Sequence, residues 1–157
     1  MLKTRESQVV LTGPDGEALI RKTPGVCGGS ACIRMFRVPV WQLVEARRLV
    51  KSDHDLLKSS GVPLTLADVA AAWEYAAKNP TEIAVDLWQN EAVMFDQERE
   101  PIAGWFLVRG RQLGLTDEEI RDSFYPALLQ VDLDAAWRDY QQNPEPMNEA
   151  IRQYASR

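Results

Sequence analysis

The segment AAWEYAAKNP, residues 71–80, recurs as AAWRDYQQNP at residues 135–144. At the same offset of 64 residues, WQLVEARRL (41–49) lies on WFLVRGRQL (105–113), and the alignment of 41–80 with 105–144 needs no gap. Fourteen of the forty aligned pairs are identical, whereas ordinary composition gives about two or three by chance. The sequence therefore predicts a tandem duplication of one structural unit.

The apolar spacing within each unit predicts three helices. In the first unit, the pattern favours a helix over residues 40–50, a short helix beginning after Ser52, and a third helix capped by Thr65. In the second unit, Thr116 and Glu119 have the spacing of a capping box. Each unit is thus expected to fold as three short helices joined by tight turns.

Each unit also carries two tryptophans at matching places. Trp41 aligns with Trp105 near the start of the first helix, and Trp73 aligns with Trp137 within the third helix. Because large aromatic side chains mainly contribute packing, we expect all four to be mostly buried and equivalent in pairs. They are therefore predicted to be structural residues of the duplicated motif.

The segments around the two units complete the predicted fold. Both third helices are expected to stop at Asn-Pro, because the residue before proline disfavours the α region. An apolar alternation on either side of Gly13-Pro14-Asp15-Gly16 predicts a β-hairpin. We therefore expect a mostly α-helical fold with a small N-terminal β-hairpin element. The expected domains are residues 1–80 (hairpin and first three-helix unit), 81–100 (a connecting helix) and 101–157 (a second, degenerate three-helix unit).

Composition bounds the function. Hydrophobic residues make up 45% of the 157 positions and charged residues 26%, which is typical of a globular protein. No apolar run approaches the ~18 residues of a membrane span, and the N-terminus lacks a signal-like apolar region. Two cysteines make no disulfide framework. We therefore expect a cytoplasmic protein. The net charge is −5, with +4 in residues 1–60 and −9 in the remainder. An acidic chain disfavours nucleic-acid binding, although the basic N-terminal part keeps that alternative open.

The glycine-rich segment TPGVCGGSACIRMFRVPVWQL, residues 23–43, fits none of the common ligand motifs. It lacks the lysine of a P-loop and the glycine spacing of a Rossmann fingerprint. The chain has one histidine, His54, so a zinc site at Cys27 and Cys32 would need carboxylates or a second chain. A nucleophilic cysteine would lack an evident base. We expect no metal, no cofactor and no structural disulfide, with both cysteines acting as small apolar residues.

The same segment, followed by VPLTLADVAAAWEYAA (62–77), resembles the bacterial domain-of-unknown-function family 433 over about residues 18–80. The matching positions are Pro24, Gly28, Gly29, Ile33, Arg34, Arg37, Val38, Pro39, Val40, Pro63, Leu64, Thr65, Asp68, Val69, Ala72 and Tyr75. Three positions depart from the family pattern: Ala31 replaces the usual proline, and Met35-Phe36 replace Gly-Thr. Since a glycine's backbone freedom is lost at Met35, a contact made by that loop in relatives is in doubt in this chain.

The resemblance implies a small helix-turn-helix-like domain of the kind viewed as the antitoxin partner of a PIN-like ribonuclease toxin. It also implies that the glycine-rich segment is a structural lead-in that places Pro39 at a helix start, where its fixed φ suits the first turn. Gly28, Gly29 and Pro39 are then structural residues.

The candidate binding residues form a basic cluster, made of Arg34, Arg37, Arg47, Arg48 and Lys51. Arg34 and Arg37 are expected on one side of a short strand, with Met35 opposed. The third helix of each unit offers few base-reading side chains, so docking of an acidic protein is favoured over DNA recognition. The expected function is a non-catalytic, antitoxin-like binding module. The alternative functions are a DNA-binding transcriptional regulator and an enzyme that uses the carboxylates of DQERE (96–100). The alternative oligomeric state is a homodimer.

Overall fold

The structure, a computed structural model, describes residues 6–157 and divides into two compact units, Met1–Asp86 and Leu87–Arg157. The start of the predicted first domain, residues 1–5, lies outside the described residues. The strands are β1 (Gln8–Thr12), β2 (Ala18–Lys22) and β3 (Cys32–Ile33). The helices are α1 (Val40–Arg47), α2 (Asp53–Ser59), α3 (Leu66–Lys78), α4 (Pro80–Ala92), α5 (Gly104–Gln112), α6 (Asp117–Asp122), α7 (Gln130–Gln142) and α8 (Pro144–Ala155). The mostly helical fold with a small N-terminal β element is confirmed.

The predicted hairpin is present and carries one further strand. Strands β1 and β2 are antiparallel and joined by a turn in which the Gly13 amide donates to the Glu17 carbonyl at 2.8 Å. The short strand β3 adds antiparallel to β2, with Ile20 opposite Ile33. Both isoleucines are fully buried, so the sheet supplies one wall of the first unit's core.

Helix α3 is the centre of the first unit, since it packs on α1, α2 and β2. Its buried side chains include Val69, Ala72 and Tyr75, while α1 contributes Val40 and Leu43. These side chains and the two isoleucines of the sheet form a largely aliphatic interior.

Side-chain caps start the helices where the sequence predicts them. Ser52 accepts from the Asp55 amide at 3.2 Å, and both Thr65 and Thr116 form capping boxes. Such caps satisfy the amide groups that a helix start leaves unpaired. The predicted starts of α2, α3 and α6 are therefore confirmed.

The two Asn-Pro junctions both end one helix and begin the next. Helix α3 ends at Lys78 and α7 at Gln142, as expected. Pro80 and Pro144 then open α4 and α8, because proline's missing N–H costs nothing in the first helical turn. The connecting helix expected over 81–100 therefore begins at Pro80 and ends at Ala92. Residues 96–100 are not the expected helix end but a series of turns, and the sequence analysis missed α8.

The second unit has an aromatic core. Trp88 is fully buried, stacks on Phe106 with 4.8 Å between ring centroids, and donates its indole N–H to the Phe106 carbonyl at 2.9 Å. Phe124 packs edge-on against Trp88 at 5.8 Å. The fully buried tryptophan, Trp88, thus lies outside the aligned segments 41–80 and 105–144.

The four repeated tryptophans are mostly buried, as expected, but none of them is fully buried: Trp41, Trp73, Trp105 and Trp137. Their pairing by position also holds. Trp41 and Trp105 are each the second residue of their helix, α1 and α5, and Trp73 and Trp137 are each the eighth residue of α3 and α7.

Helix geometry explains why Trp41 and Trp105 are not in the core. In α1 the buried residues are Val40 and Leu43, and Trp41 lies about 100° around the helix from Val40. In α5 the next residue, Phe106, is fully buried, and Trp105 packs against the edge of its ring at 5.7 Å and against Tyr154 at 5.5 Å. Both indoles therefore cover the border of a core rather than fill it.

The other pair, Trp73 and Trp137, makes a different contact in each unit. The indole N–H of Trp73 donates to the Asp53 carboxylate at 3.2 Å. Trp137 stacks on Tyr140 with 5.3 Å between ring centroids. A tryptophan that keeps one edge near water can satisfy its N–H group there while it buries the rest of the ring.

The helix starts of the two units are spaced by the same interval. Val40 and Gly104, Asp53 and Asp117, Leu66 and Gln130, and Pro80 and Pro144 each begin a helix, and the members of every pair lie 64 residues apart. Helices α3 and α7 also have the same length of 13 residues. The interval in the sequence alignment is therefore also the interval between the observed elements.

Candidate functional site

The glycine-rich segment folds as a tight lead-in to α1. A 3-10 turn spans Cys27–Gly29, and Gly28 and Gly29 have φ of 64° and 87°, which is the left-handed region that glycine adopts without a steric penalty. Pro39 is the N-cap of α1 rather than its first residue, and its carbonyl accepts from the Gln42 amide at 3.1 Å. Both observations fit a structural role for the segment.

Arg34 does not lie on a strand, which corrects the expected geometry of the basic cluster. Strand β3 ends at Ile33, and Arg34 follows in a turn with φ of 42°. A left-handed φ is disfavoured for a residue with a Cβ. The strained turn is held because the Arg34 amide donates to the Leu19 carbonyl at 2.8 Å. Arg34 and Arg37 therefore do not alternate along one strand, and the residue at left-handed φ is not Met35.

The side chain of Arg34 is committed to a buried carboxylate. Its Nη2 lies 2.7 Å from Oδ2 of Asp68, which is 1% exposed. The same oxygen accepts from the Thr65 amide at 2.9 Å and from its hydroxyl at 3.1 Å. A buried carboxylate requires such partners because its desolvation is costly. Arg34 is thus a structural cation of the fold, not a free one.

Arg47 is also paired within the fold. Its Nε donates to Oδ1 of Asp53 at 2.9 Å and its Nη1 to the Val50 carbonyl at 2.8 Å. The other Asp53 oxygen is the one that accepts from the Trp73 indole. These contacts join the end of α1 to the start of α2 and the middle of α3. Arg47 is therefore a structural cation of the fold.

The second unit contains the same arrangement 64 residues later. Arg111 makes two hydrogen bonds to Asp117, at 2.8 and 2.7 Å, and its guanidinium lies 4.7 Å from the ring centroid of Trp137. Hydrogen bonds from Arg111 and then from Gln130 lower the pKa of the Asp117 carboxyl. A paired arginine and aspartate beside a tryptophan thus occurs once in each unit.

Three cations of the basic cluster remain without an ion-pair partner within residues 6–157: Arg37, Arg48 and Lys51. Two large apolar side chains lie next to them in the chain, Met35 at 81% exposure and Leu49 at 85%. These five residues lie at the two ends of α1, whose eight residues span about 12 Å, and we refer to them together as the α1-flanking surface. The structure therefore divides the basic cluster into two structural cations and three that are available to a partner.

A polar cluster that the sequence analysis missed lies beside the sheet. Glu82 accepts from Lys22 at 2.6 Å and from the Tyr75 hydroxyl at 2.8 Å. Burial alone would lower the pKa of Lys22, but the hydrogen bonds and charge of Glu82 and Tyr75 outweigh burial and leave it raised. Burial and the hydrogen bond to Glu82 raise the pKa of Tyr75. This arrangement keeps Tyr75 protonated, which makes it a donor rather than a base.

Asp86 lies one turn further along α4 than Glu82 and extends this polar region. Burial raises the pKa of Asp86, against the opposing effect of a hydrogen bond from Ser30. Burial, a hydrogen bond with Cys27 and the charge of Asp86 raise the pKa of Cys32 to about 12. At neutral pH Cys32 is therefore an uncharged thiol, which is unsuited to nucleophilic attack. The i, i+4 spacing of the two acids on a predicted helix was the available sequence signal.

Among the described residues, no group of three or more His, Cys, Asp or Glu side chains is arranged to hold a metal ion. None of the helices between residues 6 and 157 combines the length and the apolarity that a membrane crossing requires.

Comparison with known proteins supports the resemblance inferred from the sequence. Residues 20–76, just over a third of the chain, match the family model DUF433, described as a protein of unknown function. A crystal structure of a DUF433 member protein from Anabaena variabilis ATCC 29413 is 47% identical to this chain, with a TM-score of 0.40. The match covers 42% of this chain and 64% of that chain. No curated protein matches the sequence significantly.

Proposed function

We propose that this chain is a non-catalytic, antitoxin-like binding module whose α1-flanking surface docks an acidic protein partner. The observation that carries the proposal is the combination of three unpaired cations with two exposed apolar side chains, Met35 and Leu49. Apolar anchors surrounded by charge are typical of protein interfaces. A PIN-like ribonuclease toxin is the partner class that the family resemblance implies.

The same proposal includes a tandem duplication in which only the first unit keeps the lead-in sheet. The common interval of the helix starts supports it, as does the repeated arginine, aspartate and tryptophan arrangement. The second unit has Arg111 where the first has Arg47, but Gly114 and Leu115 stand where the first has Val50 and Lys51. The α1-flanking surface therefore occurs once per chain, which suits a single partner better than a symmetric one.

DNA recognition through a helix-turn-helix is the alternative, and the surface of α3 argues against it. The exposed positions of α3 are Leu66, Ala67, Ala70, Glu74, Ala77 and Lys78, and Lys78 is paired with Glu74 at 2.7 Å. Reading of base edges requires donors and acceptors such as Arg, Asn and Gln side chains. A largely apolar surface whose one cation is paired with a carboxylate offers few of these and attracts phosphate weakly.

The experiment is co-expression of the full chain with the product of the neighbouring reading frame, followed by gel filtration and a binding titration. We expect the two proteins to co-elute. Substituting Arg37→Glu, Arg48→Glu and Lys51→Glu together should weaken binding at least about tenfold, because reversed charges repel an acidic partner. The control reverses three arginines of the second unit, Arg99, Arg138 and Arg157, and should leave affinity unchanged.

Two outcomes would contradict the proposal. One is equal loss of binding in the control variant, which would show that overall charge and not the α1-flanking surface determines capture. The other is tight binding of the chain to its own promoter DNA, with an affinity that falls steeply between about 50 and 200 mM salt. That result would favour the transcriptional regulator.

A further inference from the structure

One face of α3 is covered in the first unit, and the corresponding face of α7 is open in the second. The α3 face consists of Asp68, Ala71, Ala72 and Tyr75, all of which are buried. The corresponding α7 positions, 64 residues later, are Asp132, Ala135, Ala136 and Asp139. Of these four, Ala136 alone is buried, and the other three are exposed. Both aspartates at the start of the face occupy the third position of their helix.

The first unit shows what covers this face. Strand β2 packs on α3, and β3 pairs with β2. Two cations border the covered face: Arg34, directly after β3, binds Asp68, and Lys22, at the end of β2, binds Glu82, which also accepts from the Tyr75 hydroxyl. The cover is therefore extended apolar chain, supplied by two short strands, with a basic side chain near each end of the helix face.

The second unit has no strand among its residues, and a groove lies where α7 is uncovered. The groove has a volume of about 380 Å³, which is within the range of binding sites in proteins. Its lining includes the apolar side chains of Ile102, Leu107 and Leu128 and the carboxylates of Glu100, Asp132 and Asp139. No basic residue of the described chain lines it, so the carboxylates face a groove without a cation to balance them.

We infer that this groove binds an extended segment of another protein in which two basic residues, four positions apart, lie on either side of an apolar residue. The inference rests on the equivalence of the two units proposed above, and it assigns a second binding site, opposite in charge to the α1-flanking surface. Asp132 and Asp139 are seven residues apart on α7, or about 10.5 Å along the axis. Extended chain rises about 3.3 Å per residue and points successive side chains to opposite faces. The two basic residues and the apolar residue midway between them should therefore face α7 from alternate positions, with the basic residues four positions, or about 13 Å, apart.

A second copy of this chain is a poor occupant. Its own covering segment is buried in its first unit, with Ile20 and Ile33 fully inaccessible. Release of that segment would expose both side chains and leave the buried Asp68 without its arginine, which is costly. The occupant is therefore a different protein.

The test uses the full chain and a synthetic heptapeptide, acetylated and amidated, with glycine at each end and arginine, serine, isoleucine, serine and arginine between. Calorimetry should show binding of one peptide per chain. Asp132→Asn and Asp139→Asn should each lower the affinity about tenfold, because each removes a charge-assisted hydrogen bond. Ala135→Phe should abolish binding by filling the groove from an exposed position. Glu118→Gln, an equal charge change outside the groove, is the matched control.

Controls separate folding and small-molecule effects from peptide recognition. Asparagine at 132 can still accept from the Leu129 amide, and circular dichroism should show unchanged helicity in every variant. A peptide with both arginines replaced by glutamine, or with the isoleucine replaced by serine, should bind at least about tenfold more weakly.

Three results would overturn the inference: no binding at millimolar peptide, equal affinity for argininamide alone, or an equal effect of Glu118→Gln. Capture through the α1-flanking surface is measured with different variants and a different partner. The two proposals therefore fail independently.

Discussion

The two units present the same order of helices around different interiors. The first unit builds its core from aliphatic side chains and a small sheet, and it buries a carboxylate, Asp68, against Arg34. The second unit has no sheet in its described residues and fills its interior with the stacked rings of Trp88 and Phe106. The same helix spacing thus occurs with two different cores, an aliphatic one beside a sheet and an aromatic one without a sheet.

The difference also appears at a single pair of positions. Asp68 and Asp132 both occupy the third position of a 13-residue helix, but the first is buried and the second is exposed. Thr65 caps the first helix with its hydroxyl, whereas Leu129 stands at the corresponding place in the second and is 66% exposed. The aspartate keeps a local hydrogen bond to the backbone in both units. The two units differ in the cation from a distant part of the chain, Arg34, which only the first unit supplies, directly after a strand of its sheet.

The largest effect is expected from Trp88→Ala in the second unit. The variant removes a fully buried ring and its hydrogen bond to Phe106, which should cost about 3–5 kcal/mol of unfolding free energy. Urea unfolding followed by circular dichroism measures the loss. Hydrogen exchange should show faster opening in residues 87–157 than in the first unit. Val93→Ala, at an exposed position nearby, should change stability by less than about 0.5 kcal/mol. Equal costs would contradict the aromatic core.

A smaller effect separates the two equivalent aspartates. Asp68→Asn should cost roughly 1–3 kcal/mol, because it removes the negative partner of Arg34 and leaves a half-buried guanidinium poorly satisfied. Asp132→Asn should cost less than about 0.5 kcal/mol, since that side chain is exposed. Thermal unfolding of the two variants measures the difference. Similar losses would mean that the burial of Asp68 has little energetic consequence.

The repeated arginine and aspartate pairs allow a matched comparison. Arg111→Met should cost about 1 kcal/mol, because its bidentate pair with Asp117 is supplemented by contact with the Trp137 ring. Arg47→Met should cost about 0.5 kcal/mol, since the side chains of Arg47 and Asp53 are each more than a third exposed. Chemical denaturation at low and high salt measures both. The ranking would be reversed if the contact with the Val50 carbonyl outweighed the ring contact.

The smallest effect concerns the pH dependence contributed by Asp86. Because burial raises its pKa in the folded state, the protonated form is favoured by folding. Its stabilising contribution is complete below the unfolded-state pKa and is lost as pH rises through the folded-state pKa. Asp86→Asn should therefore raise the unfolding free energy at pH 7, by less than about 1 kcal/mol, and change it little at about pH 3. Glu98→Gln, at an exposed position, should show no such pH dependence.

Local chemistry made much of the fold predictable. Ser52, Thr65 and Thr116 mark helix starts because their side chains cap the following amides, and the hairpin turn is encoded in four adjacent residues. Pro80 and Pro144 are predicted only as helix stops, although proline is equally favourable at a helix start. For this reason α8 is absent from the prediction and the end of α4 is misplaced.

The candidate site was less predictable because it depends on distant contacts. Nothing near Arg34 in the sequence indicates that its partner is Asp68, 34 residues away. Sequence reasoning found the cations but could not separate the paired from the unpaired ones.

The repeat also does not predict which tryptophan is fully buried. The alignment identifies Trp41 and Trp105 as equivalent, but it does not say on which side of the helix the core lies. That side is set by neighbouring elements, which leave both indoles partly exposed, whereas Trp88 lies outside the aligned segments and is fully buried. A repeated aromatic residue therefore indicates a shared position in the fold and not the depth of that position.

The Asn-Pro junctions constrain how such a chain can drift in evolution. At residues 79–80 one helix ends and the next begins without a linker, so a single inserted residue would rotate α4 by about 100°. Glu82 would then face away from Lys22 and Tyr75, and their shared hydrogen bonds would be lost. An inserted or deleted residue at these points would therefore break contacts that a substitution at an exposed position leaves intact. A fixed rotation of each helix relative to the one before it is compatible with an ungapped alignment at fourteen identities in forty.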